Sequence, residues 1–189
     1  MATIRTVYFA GPSLYGVAVD KLPNELWLPP AKQGDVVQAI VAIRPRQVVL
    51  IDGVFHQSMS VWHKEIGYAL MRGVAVIGAA SMGALRAAEM HRYGVVGVGK
   101  IFEMYRDGEE NDALVALKFD PETYRPISEP PIGQALKQAD ALEAIEFARS
   151  YRGRVQTSLT VDAISPFFER VILSTLEKDY GRRRSYSKF

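Results

Sequence analysis

The chain of 189 residues contains no cysteine. Disulfides, thiolate metal sites, a cysteine nucleophile and a protein-bound persulfide are all excluded. Histidine is scarce, and His56, His63 and His91 are the only imidazoles. A zinc site needs three or four ligands at suitable spacing, which these do not offer, so no metal is expected. The glycines spell neither a dinucleotide fingerprint nor a P-loop, since Val96-Gly97-Val98-Gly99-Lys100 has the wrong spacing. No cofactor is expected. Charge of one sign is also lacking. The formal net charge is only +2, which implies no field for nucleic acid. Basic character gathers in the tail Gly181-Arg182-Arg183-Arg184-Ser185, which reads as a solvated end or a docking segment. No run is long and apolar enough to span a bilayer. Met1-Ala2-Thr3-Ile4-Arg5 leads straight into a strand and does not resemble a signal peptide. These absences predict a cytoplasmic protein with no membrane partner.

What is present is an alternation of short apolar runs with helical segments. Residues 6–10, 25–28, 47–51 and 74–77 read as strands, and 36–43, 58–71 and 82–90 as helices, the second capped by Ser58 or Ser60. The unbroken apolar run at 47–51 suits a strand buried on both faces. This rhythm predicts an α/β fold, a Rossmann-like parallel sheet flanked by helices. The second half is less regular. Residues 95–99 read as a glycine-rich turn, 100–106 as a short helix, 107–112 as an acidic loop and 113–119 as a strand. Residues 121–131 hold four prolines and read as a loop. Residues 134–149 read as an amphipathic helix with Leu136, Ala139, Leu142 and Ile145 as its apolar stripe, and Ser165-Pro166 opens a last helix. The expected organisation is one domain over residues 1–189. It comprises a core to residue 105, a mostly helical elaboration over 106–180 and the basic tail 181–189.

Ligands of open parallel sheets bind at the carboxyl ends of the strands. The segments leaving those ends include Gly11-Pro12-Ser13, Pro29-Pro30, residues 52–57 and residues 79–83. In the last of these Ser81 sits on a strand-to-helix elbow, with small Ala79 and Gly83 beside it. Such an elbow presents a serine hydroxyl beside the open N–H groups of a helix start. Ser81 is either a nucleophile or a helix cap. A nucleophilic serine needs a base. Lys64 serves if its pKa is lowered, and His56 or His63, with Asp52 or Glu89, serve as alternatives. Ser13 is a second strand-end serine. The N–H groups of Met82 and Gly83, and those after Gly11, are candidates for an oxyanion hole.

Phe9-Ala10-Gly11-Pro12-Ser13-Leu14, Asp52-Gly53-Val54-Phe55-His56-Gln57, Val61-Trp62-His63-Lys64-Glu65-Ile66 and Gly78-Ala79-Ala80-Ser81-Met82-Gly83-Ala84-Leu85-Arg86-Ala87-Ala88-Glu89 together resemble the TfuA-like family. The resemblance is dense from residue 7 to about residue 105. It implies a partner of a YcaO-type enzyme in peptide backbone thioamidation. That partner hydrolyses the C-terminal thiocarboxylate of a ThiS-like carrier protein and releases sulfide near the enzyme's precursor peptide or protein substrate. A serine–lysine pair is implied, carried over here onto Ser81 and Lys64. His56, His63 and Glu65 would tune the pair, and Arg86 would offset the charge of the thiocarboxylate. The other reading is a non-catalytic adaptor that binds the YcaO enzyme and its peptide.

Overall fold

The computed structural model describes residues 4–54, 59–128 and 130–160. Five strands form one parallel sheet: β1 (Thr6–Phe9), β2 (Glu25–Leu28), β3 (Gln47–Leu50), β4 (Ala75–Gly78) and β5 (Val96–Gly97), in the order β2-β1-β3-β4-β5. Helices α1 (Asp35–Ile43), α2 (His63–Met71) and α3 (Met82–Met90) connect successive strands from β2 to β5. Two further helices follow, α4 (Lys100–Arg106) and α5 (Gln134–Ser150). The expected α/β architecture is the observed one.

Side chains on a strand alternate between faces, and both faces of this sheet are covered. Val7, Phe9, Val48, Leu50 and Val76 pack against α1, α2 and α3, with α4 seated beside α3. Tyr8, Val49, Ile51 and Ile77 point the other way and pack under α5. That face is completed by Leu14 and Val19 of the β1–β2 connection and by Trp27 of β2, which stacks on Tyr8 at 4.2 Å between ring centres. Each fully buried aliphatic side chain contributes roughly 1.5–3 kcal/mol, so the doubly covered central strands anchor the loops that leave their ends.

Several elements differ from the sequence reading. Residues 96–97 are the fifth strand, since two residues suffice to pair with β4 despite the glycines. Residues 113–119 are not a strand: a single 3-10 turn, Asp112–Leu114, is followed by irregular chain with one isolated bridge, Phe119 to Pro126. Helix α2 begins at His63, because Glu65 folds back onto the Trp62 N–H; Ser60 instead donates to the Val54 carbonyl. Helix α5 turns a different face inward. Its buried positions are Lys137, Asp140, Ala141, Ala144, Ile145 and Ala148, while Leu142 is exposed and Leu136 half-buried. Four small or short side chains at helical spacing let α5 approach the sheet closely, which the bulkier leucines would prevent. The proposed helix from Ser165 and the basic tail lie outside the described residues.

Candidate functional site

The strand order places a topological switch point between β1 and β3, whose connections leave in opposite directions. Three segments meet there: residues 11–14 after β1, Asp52 after β3 and the Ser81 elbow after β4.

The elbow is tightly constrained. A Cβ on Gly83 would lie 1.7 Å from the Leu50 carbonyl oxygen, and one on Gly78 would lie 2.2 Å from that of Gly83. The start of α3 is therefore pressed against the ends of β3 and β4, and only glycine fits at either point. Ala80 adopts a left-handed conformation with φ 65°, which costs a non-glycine residue about 1–2 kcal/mol. Such strain is maintained where surrounding structure over-determines it, and the next side chain, Ser81, meets Val115 and Lys137.

Ser81 is 3% exposed. It starts α3, yet its side chain makes no cap hydrogen bond. Its hydroxyl donates instead to the Val115 carbonyl at 3.1 Å. Lys137 Nζ donates to the same carbonyl at 2.5 Å and reaches Ser81 Oγ at 3.4 Å. Lys137 is fully buried, and burial pushes its amine down to about 8, with the negative charge of Asp52 opposing the shift. Once deprotonated, the amine has a lone pair that can take the serine proton when the Ser81 hydroxyl turns from Val115. The family resemblance implies a pair of Ser81 with Lys64; the structure brings Lys137 to Ser81, 56 residues away in sequence, while Lys64 lies on the exposed side of the first turn of α2.

Asp52 anchors the loop beside this pair. Its carboxylate accepts from the Ser13 hydroxyl at 2.6 Å, the Gly11 N–H at 2.8 Å and the Ser13 N–H at 3.0 Å. Burial pushes the Asp52 carboxyl up, and these three donors pull against it. The loop then holds α5: Gln134 donates to the Pro12 carbonyl at 2.6 Å and Gln138 to that of Tyr15 at 2.9 Å. Gly11, Ser13 and Asp52 thus set the position of the helix turn that carries Lys137.

The oxyanion candidates separate. The Gly83 N–H is taken by the Ile51 carbonyl at 3.2 Å. The Met82 N–H, directly after Ser81, has no hydrogen-bond partner among the described residues.

The remaining candidates form a different cluster. His63 Nε2 meets Glu89 at 2.8 Å, Arg86 meets the same carboxylate at 2.6 Å, and Arg86 Nε donates to the Val61 carbonyl. The histidine and Arg86 hold the Glu89 carboxyl below its usual range against the opposing effect of burial. Neither His63 nor Asp52 hydrogen-bonds Ser81, and His56 lies outside the described residues. Glu65 is fully buried and accepts from the Gly34 N–H at 2.8 Å, tying α2 to the start of α1; burial pushes its carboxyl up to about 7. Among the described residues no group of three acidic or imidazole side chains is arranged to hold a metal ion, and no helix is long and apolar enough to cross a membrane.

Sequence reasoning missed Lys137 and the Val115 carbonyl. A signal for the lysine exists: Lys137 stands four, seven, eight and eleven residues before Ala141, Ala144, Ile145 and Ala148, on the face that is buried. A backbone carbonyl leaves no such trace.

An apolar cavity of about 320 Å³ lies alongside, lined by Phe9, Leu28, Pro30, Val54, Phe119 and Tyr124 among others; Ser81 and Lys137 do not line it. It adjoins the Gly11 loop, where Pro30 and Tyr124 crowd the glycine.

A comparison with curated proteins finds no match. The model of the TfuA-like protein family matches residues 52–161, a span that covers Asp52, the Ser81 elbow, Val115 and Lys137. With more than half of its length matched, the chain belongs to the TfuA-like family.

Proposed function

We propose that this protein is the sulfide-releasing accessory of a YcaO-type thioamidation enzyme, and that it hydrolyses the C-terminal thiocarboxylate of a ThiS-like carrier with Ser81 as nucleophile and Lys137 as base. Family membership supports the thioamidation context. The observation that carries the chemistry is a buried lysine amine 3.4 Å from the hydroxyl of a serine on a strained elbow.

In this reading neutral Lys137 takes the Ser81 proton as Oγ attacks the thiocarboxylate carbon. The oxyanion is received by the Met82 N–H at the start of α3, where the helix dipole also favours negative charge. The C–S bond breaks, and the sulfur leaves with the proton returned by Lys137. Water then attacks the serine ester, again through Lys137, and regenerates the carboxylate and free Ser81. The net change is thiocarboxylate plus water to carboxylate plus hydrogen sulfide. With no cysteine on the chain, sulfur passes as free sulfide to the neighbouring enzyme and its peptide.

Access requires a movement. The Val115 carbonyl accepts from both the Ser81 hydroxyl and the Lys137 amine, so it has to leave before the pair can act on a substrate. Its segment also carries Phe119, which lines the apolar cavity. Displacing residues 112–119 would open the pair toward that cavity, so engagement with a partner is the step that exposes the nucleophile. The test is sulfide release from a thiocarboxylated carrier by the wild-type chain and by Ser81→Ala and Lys137→Ala variants. Retained release by both correctly folded variants would refute the assignment.

The burial of Ser81 favours a second reading, a non-catalytic adaptor in which Lys137, Ser81 and Val115 simply tie α5 to the sheet. It predicts thioamidation that depends on the chain's presence but not on the Ser81 hydroxyl.

A further inference from the structure

The opposite end of the sheet carries a different chemistry. A cavity of about 550 Å³ opens at the amino ends of the strands, where Arg5 precedes β1 and Arg46 precedes β3. Arg149, at the end of α5, and Arg152 and Arg154 beyond it close the other side. Among the described residues the lining has one carboxylate, Glu25, and it is consumed: Arg149 grips it with Nε at 2.8 Å and Nη2 at 3.0 Å. Arg5, Arg46, Arg152 and Arg154 have no carboxylate partner among the described residues, and Arg152 donates only to backbone carbonyls. The cavity thus concentrates four uncompensated guanidinium groups in a chain whose whole formal charge is +2.

Guanidinium groups cost free energy to bring together and match phosphate oxygens in bidentate geometry. Here they come from three separate segments and face one concave space. The salt bridge from Arg149 to Glu25 fixes α5 against β2 and so holds one wall of that space. The four arginines are exposed at the rim of a concave space large enough for a di- or triphosphate group. We infer that this cavity is a binding site for a small polyphosphate-bearing ligand, held by Arg5, Arg46, Arg152 and Arg154. The sheet separates it from Ser81 by roughly 13 Å of strand, so occupancy would not block the nucleophile.

The test is calorimetric titration of the full chain with inorganic pyrophosphate and tripolyphosphate at low salt. Saturable one-to-one binding is expected, weakened about tenfold by Arg46→Gln or Arg154→Gln and about a hundredfold by the pair. Affinity should fall as salt rises. Ser81→Ala should bind as the wild type does, which separates this inference from the proposed hydrolysis. Absence of binding at millimolar pyrophosphate, or equal affinity in wild type and the double variant, would overturn it. Tighter binding of a glutamate-rich peptide through the same arginines would overturn the phosphate assignment.

Discussion

Two polar clusters flank the Ser81 elbow, and they differ in what their charges face. At the joint of α2 and α3, His63, Arg86 and Glu89 satisfy one another in a half-exposed ion-pair cluster. Under α5, Lys137 is fully buried with a carbonyl and a serine hydroxyl as its hydrogen-bond partners. The first cluster has its electrostatic needs met and is open to solvent, where ion pairs are worth about 0–1 kcal/mol. The second holds an amine at a cost in stability, which is the state a general base requires. Asp140 sharpens the contrast. It shares the buried face of α5 with Lys137, one turn away, but accepts from the Lys100 and Ile101 N–H groups at 3.0 and 2.8 Å and so caps α4. One buried charge on that face is structural, and the other is left with the serine.

The largest expected effect follows from removing the chemistry. Ser81→Ala should lower sulfide release by about 10³-fold or more, and Lys137→Ala by about 10²–10⁴-fold. Both should keep the fold, as judged by circular dichroism and thermal melting.

A pH profile sharpens the same contrast. Release should rise with pH and level off above about 8, where burial places the Lys137 amine. A profile governed by a histidine would level off nearer pH 6.5.

Stability should run the other way. The folded amine sits near 8 and the unfolded one near ~10.4, so the folded chain carries the full cost of a buried cation below pH 8. Lys137→Met should therefore gain about 1–3 kcal/mol at pH 7, with the gain shrinking as pH rises from 8 toward 10. Denaturant melts across that range check the sign.

Glu65 gives a smaller effect in a different window. Its carboxyl is raised to about 7, so the folded chain binds a proton there that the unfolded chain does not. Wild-type stability should fall as pH rises from about 4.5 to 7, and Glu65→Gln should remove that slope. The smallest effects belong to the exposed first turn of α2, where His63→Ala and Lys64→Ala should change sulfide release by less than about threefold.

Much of this arrangement is legible in the sequence because local rules govern it. The parallel sheet follows from the alternation of apolar runs, and the elbow from a strand, small residues and a helix. Ser13 and Asp52 sit at strand ends, where the fold itself points. The lysine beside Ser81 was not legible in the same way. Lys64 stands in a polar island close to the elbow in sequence, whereas Lys137 comes from a helix that covers the far face of the sheet. Placing that helix depends on which of two periodic faces turns inward, and alanine packing decided it against the leucines. The short β5 and the irregular 113–119 segment escaped for a related reason. Their conformations are set by tertiary contacts, with β4 in one case and with Ser81 and Lys137 in the other.

The central claim is that Lys137, and not Lys64, serves Ser81. Single-turnover sulfide release from a thiocarboxylated carrier, measured side by side for Lys137→Ala and Lys64→Ala, tests it most directly. The account predicts loss of about 10²-fold or more for Lys137→Ala, with Lys64→Ala close to wild type. Near-wild-type release by a folded Lys137→Ala variant, with loss in Lys64→Ala, would contradict it.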